Sequence, residues 1–84
     1  MNKYDPLHAQ LMLVPHRPVT VPISTIDRLV GGLPASARRH RAWWANERAG
    51  THHHAQAWMG AGRRVQRVDL NVGVVEFSAA SAAT

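Results

Sequence analysis

The hydrophobic period of this chain changes to two at Arg63, and that change limits the possible folds more than any other feature. Beyond it Val68, Leu70 and Val72 alternate with Arg67, Asp69 and Asn71, which is the period of a half-buried strand. Asn71-Val72-Gly73 then reads as a three-residue hairpin loop and Val74 to Phe77 as the returning strand, with Val75 and Phe77 on one side. Before Arg63 most apolar residues fall at helical spacing instead. The expectation is an α+β single domain of three to four helices closed by a C-terminal β-hairpin.

The helices carry local start and stop signals. Asp5-Pro6 reads as N-cap and first helical residue of a helix over about 6–13 with Leu7, Leu11 and Val14 on one face, ended by Pro15. Pro18-Val19-Thr20-Val21-Pro22 is β-branched and bracketed by prolines, which confines it to an edge strand or an extended linker. Ser24-Thr25-Ile26-Asp27 has the form of a capping box, and Gly31-Gly32 stops the helix that follows. Pro34 opens a helical stretch over 35–40, Trp43-Trp44-Ala45-Asn46 interrupts it, and Thr51 caps a further helix from His52 to Ala61. This order of elements is winged-helix-like, with one extra helix before the wing.

A chain of 84 residues supplies one compact domain and no more. We place it at residues 1–77 and read 78–84, alanine and serine with nothing to bury, as a disordered tail. A core this thin favours a homodimer, and the apolar hairpin residues Val74, Val75 and Phe77 are its expected surface. The absence of cysteine excludes disulfides, thiolate metal sites and thiol nucleophiles. No apolar run reaches the ~18 residues of a membrane span, and the N-terminus lacks a signal peptide's apolar segment. The expected location is cytoplasmic and nucleoid-associated, with no membrane contact.

Charge is concentrated in the middle of the chain. Residues 38–67 hold Arg38, Arg39, Arg41, Arg48, Arg63, Arg64 and Arg67 against Glu47 alone, a net of +6, within a protein of net +5 and pI near 11.5. A polyanion is the natural partner, and the planar arginine fork grips phosphate or a guanine edge in bidentate fashion. These seven arginines, with the amide of Asn46, are the expected DNA-binding residues. Trp43 and Trp44, set among them, are the expected base-recognition residues. Adjacent tryptophans cannot face the same way, so one enters the core and the other faces outward or lines a pocket. Trp58, beside Met59 on an apolar helical face, is core.

Neither catalysis nor cofactor binding has a motif here. Of the five acids, Asp5, Asp27 and Asp69 have structural readings, and no acid cluster with a lysine remains for nuclease chemistry. His52-His53-His54 point about 100° apart if helical and cannot converge on one ion. The chain is therefore read as a non-enzymatic binding protein without metal or cofactor. Two rival readings are a single-stranded DNA or RNA binder and a protein-interaction or antitoxin-like module.

Four elements resemble a family of small, mainly actinobacterial proteins: Tyr4, Pro6 and Leu7; Leu33-Pro34-Ala35-Ser36-Ala37; Trp43-Trp44-Ala45-Asn46; and Val75 with Phe77. The resemblance spans nearly the whole chain, and Trp-Trp-x-Asn is its most specific part. It departs at Gly62-Arg63, where family members often carry an aromatic after the glycine. The resemblance implies a homodimer that binds double-stranded DNA containing 5-methylcytosine. One methyl adds about 1 kcal/mol of burial, roughly fivefold in affinity, so stronger discrimination needs an arginine on a neighbouring guanine or an aromatic wall around the base.

Overall fold

The computed structural model describes residues 2–14, 16–47 and 53–80. Its elements run α1 (Asp5–Leu13), β1 (Val19–Pro22), α2 (Ile23–Val30), α3 (Ser36–Arg39), a 3₁₀ turn (Arg41–Trp44), a second 3₁₀ turn (His53–Ala55), α4 (Gln56–Met59), β2 (Val65–Asp69) and β3 (Val74–Phe77). The three strands form one antiparallel sheet in the order β1-β3-β2. The protein is a small α+β domain with the expected element order, and β1 is an edge strand as its flanking prolines require.

Helix ends follow the glycines more closely than the presumed caps. Gly31 ends α2 with φ 74° and ψ 28°, a left-handed conformation that costs a β-carbon-bearing residue energy. The capping box at Ser24 does not form. Helix α2 starts at Ile23, directly from extended Pro22, so Ser24 lies inside it. Asp27 closes the next loop instead, its Oδ1 accepting the Leu33 N–H at 2.7 Å. Asp5 is the first helical residue rather than the cap. Asn2 organises that start, its Oδ1 accepting the Tyr4 N–H at 2.9 Å while its own N–H donates to Asp5 Oδ2 at 3.0 Å. Pro15 and Thr51, the expected stop and cap, and His52 lie outside the described residues, and the expected 52–61 helix is resolved into a 3₁₀ turn followed by the single turn of α4.

The helices cover one face of the sheet. Val75 and Phe77, on the central strand, are 0% exposed, and Trp58 packs on Phe77 with ring centroids 5.9 Å apart. Leu7, Leu11, Ile23, Ile26 and Trp44 complete the core. The expectation that Val75 and Phe77 offer a dimer surface is therefore overturned: a central strand has neighbours on both edges and helices above it. Exposed large apolar residues are instead Met12, Leu13 and Val72.

The hairpin also differs in detail. Leu70 belongs to the turn, because Asp69 draws the chain round: its Oδ1 accepts from Asn71 N and Val72 N, and its carbonyl accepts from Gly73 N at 2.7 Å. Val72 stands exposed at the tip. At the far end Ser78 and Ala80 are bonded into the fold, Ser78 by exchange with Arg64 and Ala80 through His16, so the ordered unit runs past Phe77. Residues 81–84 lie outside the described range.

Candidate nucleic-acid interface

The basic segment owes its shape to one alanine and one tryptophan. Ala37 is wholly buried in α3, which turns Arg38 and Arg39 outward on the exposed side of a four-residue helix. His40 is extended (φ −127°, ψ 117°) and ends α3, and the 3₁₀ turn that follows presents Arg41 to water and Trp44 to the core. Trp44 Nε1–H donates to the Ala37 carbonyl at 2.8 Å, locking the turn to the helix. Arg38 lies 3.7 Å from Asp27, an exposed pair that contributes little stability.

Both tryptophans face inward. Trp44 is 2% exposed. Trp43 is half-buried and stacks flat on His54, with centroids 3.8 Å apart and planes 2° from parallel. His54 Nε2 contacts the Trp43 carbonyl at 2.6 Å; since a carbonyl only accepts, the ring carries its proton on Nε2. Tyr4 closes the cluster edge-on to Trp43 and His54, and its burial pushes the phenol pKa above the usual value. Of the expected pair, Trp44 enters the core, while Trp43 does not face outward but packs half-buried against it with one face on His54.

Two expected binding residues serve the fold. Asn46 Oδ1 accepts from Val65 N at 2.8 Å and from Trp58 Nε1 at 2.9 Å, and its Nδ2 donates to the Val65 carbonyl at 3.1 Å. The amide thus stands in for a neighbouring strand and ties the 3₁₀ turn to β2. Arg63 is 1% exposed. Its Nε donates to the Leu11 carbonyl at 3.3 Å, Nη1 to the Arg17 and Ser78 carbonyls at 2.8 and 2.9 Å, and Nη2 to the Val14 carbonyl at 3.1 Å. A guanidinium spent this way joins the end of α1, the approach to β1 and the exit of β3.

The remaining cations frame a cleft. Between the 3₁₀ turn and β2 lies an open hollow of about 310 Å³ lined by Arg41, Trp44, Asn46, Val65, Gln66 and Arg67 among others, with no acidic residue in its wall. Arg41 and Arg67, 26 positions apart in sequence, meet across it. Arg64 is exposed just ahead of β2, and Arg38 and Arg39 extend the basic surface on α3. Arg48 lies outside the described residues. Gln66 is the cleft residue that charge counting misses, because its position depends on a local irregularity in the sheet. A second hollow, of about 750 Å³, is apolar, lined by Leu11, Met12, Val14, Met59 and Ala61 among others, beside exposed Met12 and Leu13. Among the described residues no three potential ligands gather as a metal site, and no helix is long and apolar enough to cross a membrane.

Residues 4–80 match the model of a protein family, a domain of unknown function (DUF7662). No curated protein and no solved structure matches the chain.

Proposed function

We propose that the chain, which belongs to the DUF7662 family, is a non-enzymatic protein that binds double-stranded DNA as a dimer and prefers methylated cytosine. The observation that carries the reading is the acid-free cleft between Arg41 and Arg67, continued by exposed Arg38, Arg39 and Arg64. A cleft whose wall carries arginines and no acid attracts phosphate and releases its counterions. The stack of Trp43 on His54 favours duplex over single strand, since single-strand binders need an open aromatic face for the base. The methyl preference follows the family resemblance, and half-buried Val65 supplies an apolar side chain in the cleft that Arg41 and Arg67 line. Self-association falls to the apolar hollow beside Met12 and Leu13, rather than to the hairpin.

One gel-shift series with matched methylated duplex, unmethylated duplex and single strand tests the reading. The expected order of affinity is methylated duplex, unmethylated duplex, single strand, with log K falling by about 0.9 per phosphate neutralised for each unit of log salt. A slope near zero overturns nucleic acid binding, and equal affinity for the two duplexes overturns methyl preference. Sedimentation giving only a 9.3 kDa species with DNA binding intact overturns the dimer.

A further inference from the structure

Strand β2 carries a bulge, and the bulge determines what its cleft-side residues can do. Val65 pairs with Phe77 and Arg67 with Glu76, so two steps along β2 answer one step along β3 and Gln66 is the extra residue. In a regular strand Gln66 and Arg67 would point to opposite faces. Here both are exposed, while Val68 returns to the core. Bulges re-aim side chains in this way, and they recur beside binding sites.

The chemistry of the re-aimed residue differs from that of its neighbours. Arg41 and Arg67 suit phosphate, whereas Gln66 is neutral and offers one acceptor and one donor group side by side. Among the described residues its amide makes no hydrogen bond, in contrast to Asn46, which lines the same cleft and is bonded to Val65 and Trp58. A neutral amide that lines the same cleft as two arginines suited to phosphate is placed to meet what lies between phosphates, the edge of a base. In the major groove the pattern that fits a glutamine amide in bidentate fashion is the N6 donor and N7 acceptor of adenine.

We infer that Gln66 is a specificity-determining residue that reads an adenine edge in the major groove, flanked by Arg41 and Arg67 on the phosphates. The inference rests on the duplex-DNA reading and adds to it a sequence preference separate from any methyl group.

The test is selection from a pool of duplexes with a randomised core, using the full chain as wild type, Gln66→Ala, Gln66→Glu and Arg67→Ala, with thermal melts as a folding control. Wild type enriches adenine at one position by about tenfold, the discrimination of a good bidentate pair. Gln66→Ala loses that enrichment while its affinity for the unselected pool changes less than about threefold. Gln66→Glu shifts the preference at that position towards cytosine, whose N4 group is a donor. Arg67→Ala weakens binding to all duplexes and keeps the enrichment. The same adenine enrichment in Gln66→Ala as in wild type overturns the inference and leaves duplex binding standing, as does binding by wild type with no enrichment at any position. Failure of wild type to bind the pool at low salt overturns the duplex reading itself.

Discussion

Two groups of polar side chains, drawn from the same stretches of sequence, lie within a few residues of each other and do opposite work. At the interior joint, Asn46 and Arg63 are saturated: the amide holds Val65 and Trp58, and the guanidinium holds carbonyls from Leu11, Val14, Arg17 and Ser78. At the cleft rim, Arg41, Gln66 and Arg67 are exposed and make no hydrogen bond or ion pair with the rest of the protein among the described residues. Residue type does not separate the groups, since each contains an amide and arginine. What separates them is whether the donors are already used, and that decides whether a side chain serves the fold or a ligand.

The sharpest way to break this contrast is to move a residue from one group to the other in effect. Arg63→Met removes donors from four carbonyls that water cannot reach easily, and leaving buried polar groups unpaired costs about 3–5 kcal/mol in total. Against the roughly 5–15 kcal/mol that stabilises a domain, this removes a large share of the stability and strongly lowers the midpoint of a denaturant or thermal melt. Arg63→Lys fails to restore it, because a single ammonium cannot span three chain segments. An Arg63→Met protein with an unchanged midpoint and weakened DNA binding would place Arg63 in the ligand group and dissolve the distinction.

Asn46 gives a smaller effect with a pH signature. Asn46→Ala leaves the Val65 and Trp58 N–H groups without their acceptor and costs about 2 kcal/mol. Asn46→Asp keeps that acceptor but sets a carboxylate where an N–H met the Val65 carbonyl at 3.1 Å. Protonation turns that oxygen into a donor, so the folded state holds the proton more tightly than the unfolded chain. The variant's deficit relative to wild type is therefore present at neutral pH, shrinks as pH falls through the raised folded value, and is smallest below the unfolded value of about 4. Parallel urea melts at two pH values check this.

These residues also show where sequence reading succeeds and where it stops. Gly31 and Pro18 to Pro22 were legible because a helix stop and an edge strand depend on the backbone freedom of the residues themselves. Trp58 was legible as core from its helical face. Arg63 was not, because a charge counts the same in composition whether it lies in water or inside, and only the convergence of α1, β1 and β3 supplies its carbonyls. Asp27 differs from its expected role for a related reason: a capping-box partner and a loop latch are the same carboxylate in sequence, and only the fold brings the Leu33 N–H to it. Gln66 escaped notice because a bulge has no signature of its own, arising only when β2 and β3 are laid side by side.

On the rim, the predicted change is in binding and not in folding. Arg41→Ala lowers the salt slope of duplex affinity by about 0.9, one phosphate contact, and weakens all duplexes alike while the melting temperature stays within about 2 °C. An unchanged slope with a lowered melting temperature would move Arg41 to the interior group.

The smallest effect belongs to Tyr4, at the margin of the interior joint, where the aromatic cluster meets water. It is the chain's single tyrosine, so tyrosinate absorbance reports it alone. Its ring lies 6.1 Å from Trp43 and 5.8 Å from His54, and burial raises its pKa because the phenolate loses hydration there. A raised value in the fold means the neutral phenol is the folded form's preferred state. The stabilisation is complete below the unfolded value of about 10 and is lost as pH climbs from there through the folded value. The native titration midpoint should therefore lie above the midpoint in urea, and His54→Ala, which removes one wall of the cluster, should bring the two closer. Coincident midpoints in native and urea-unfolded wild type would mean that water already reaches Tyr4, and that the closed joint ends at the Trp43–His54 stack and does not extend to α1.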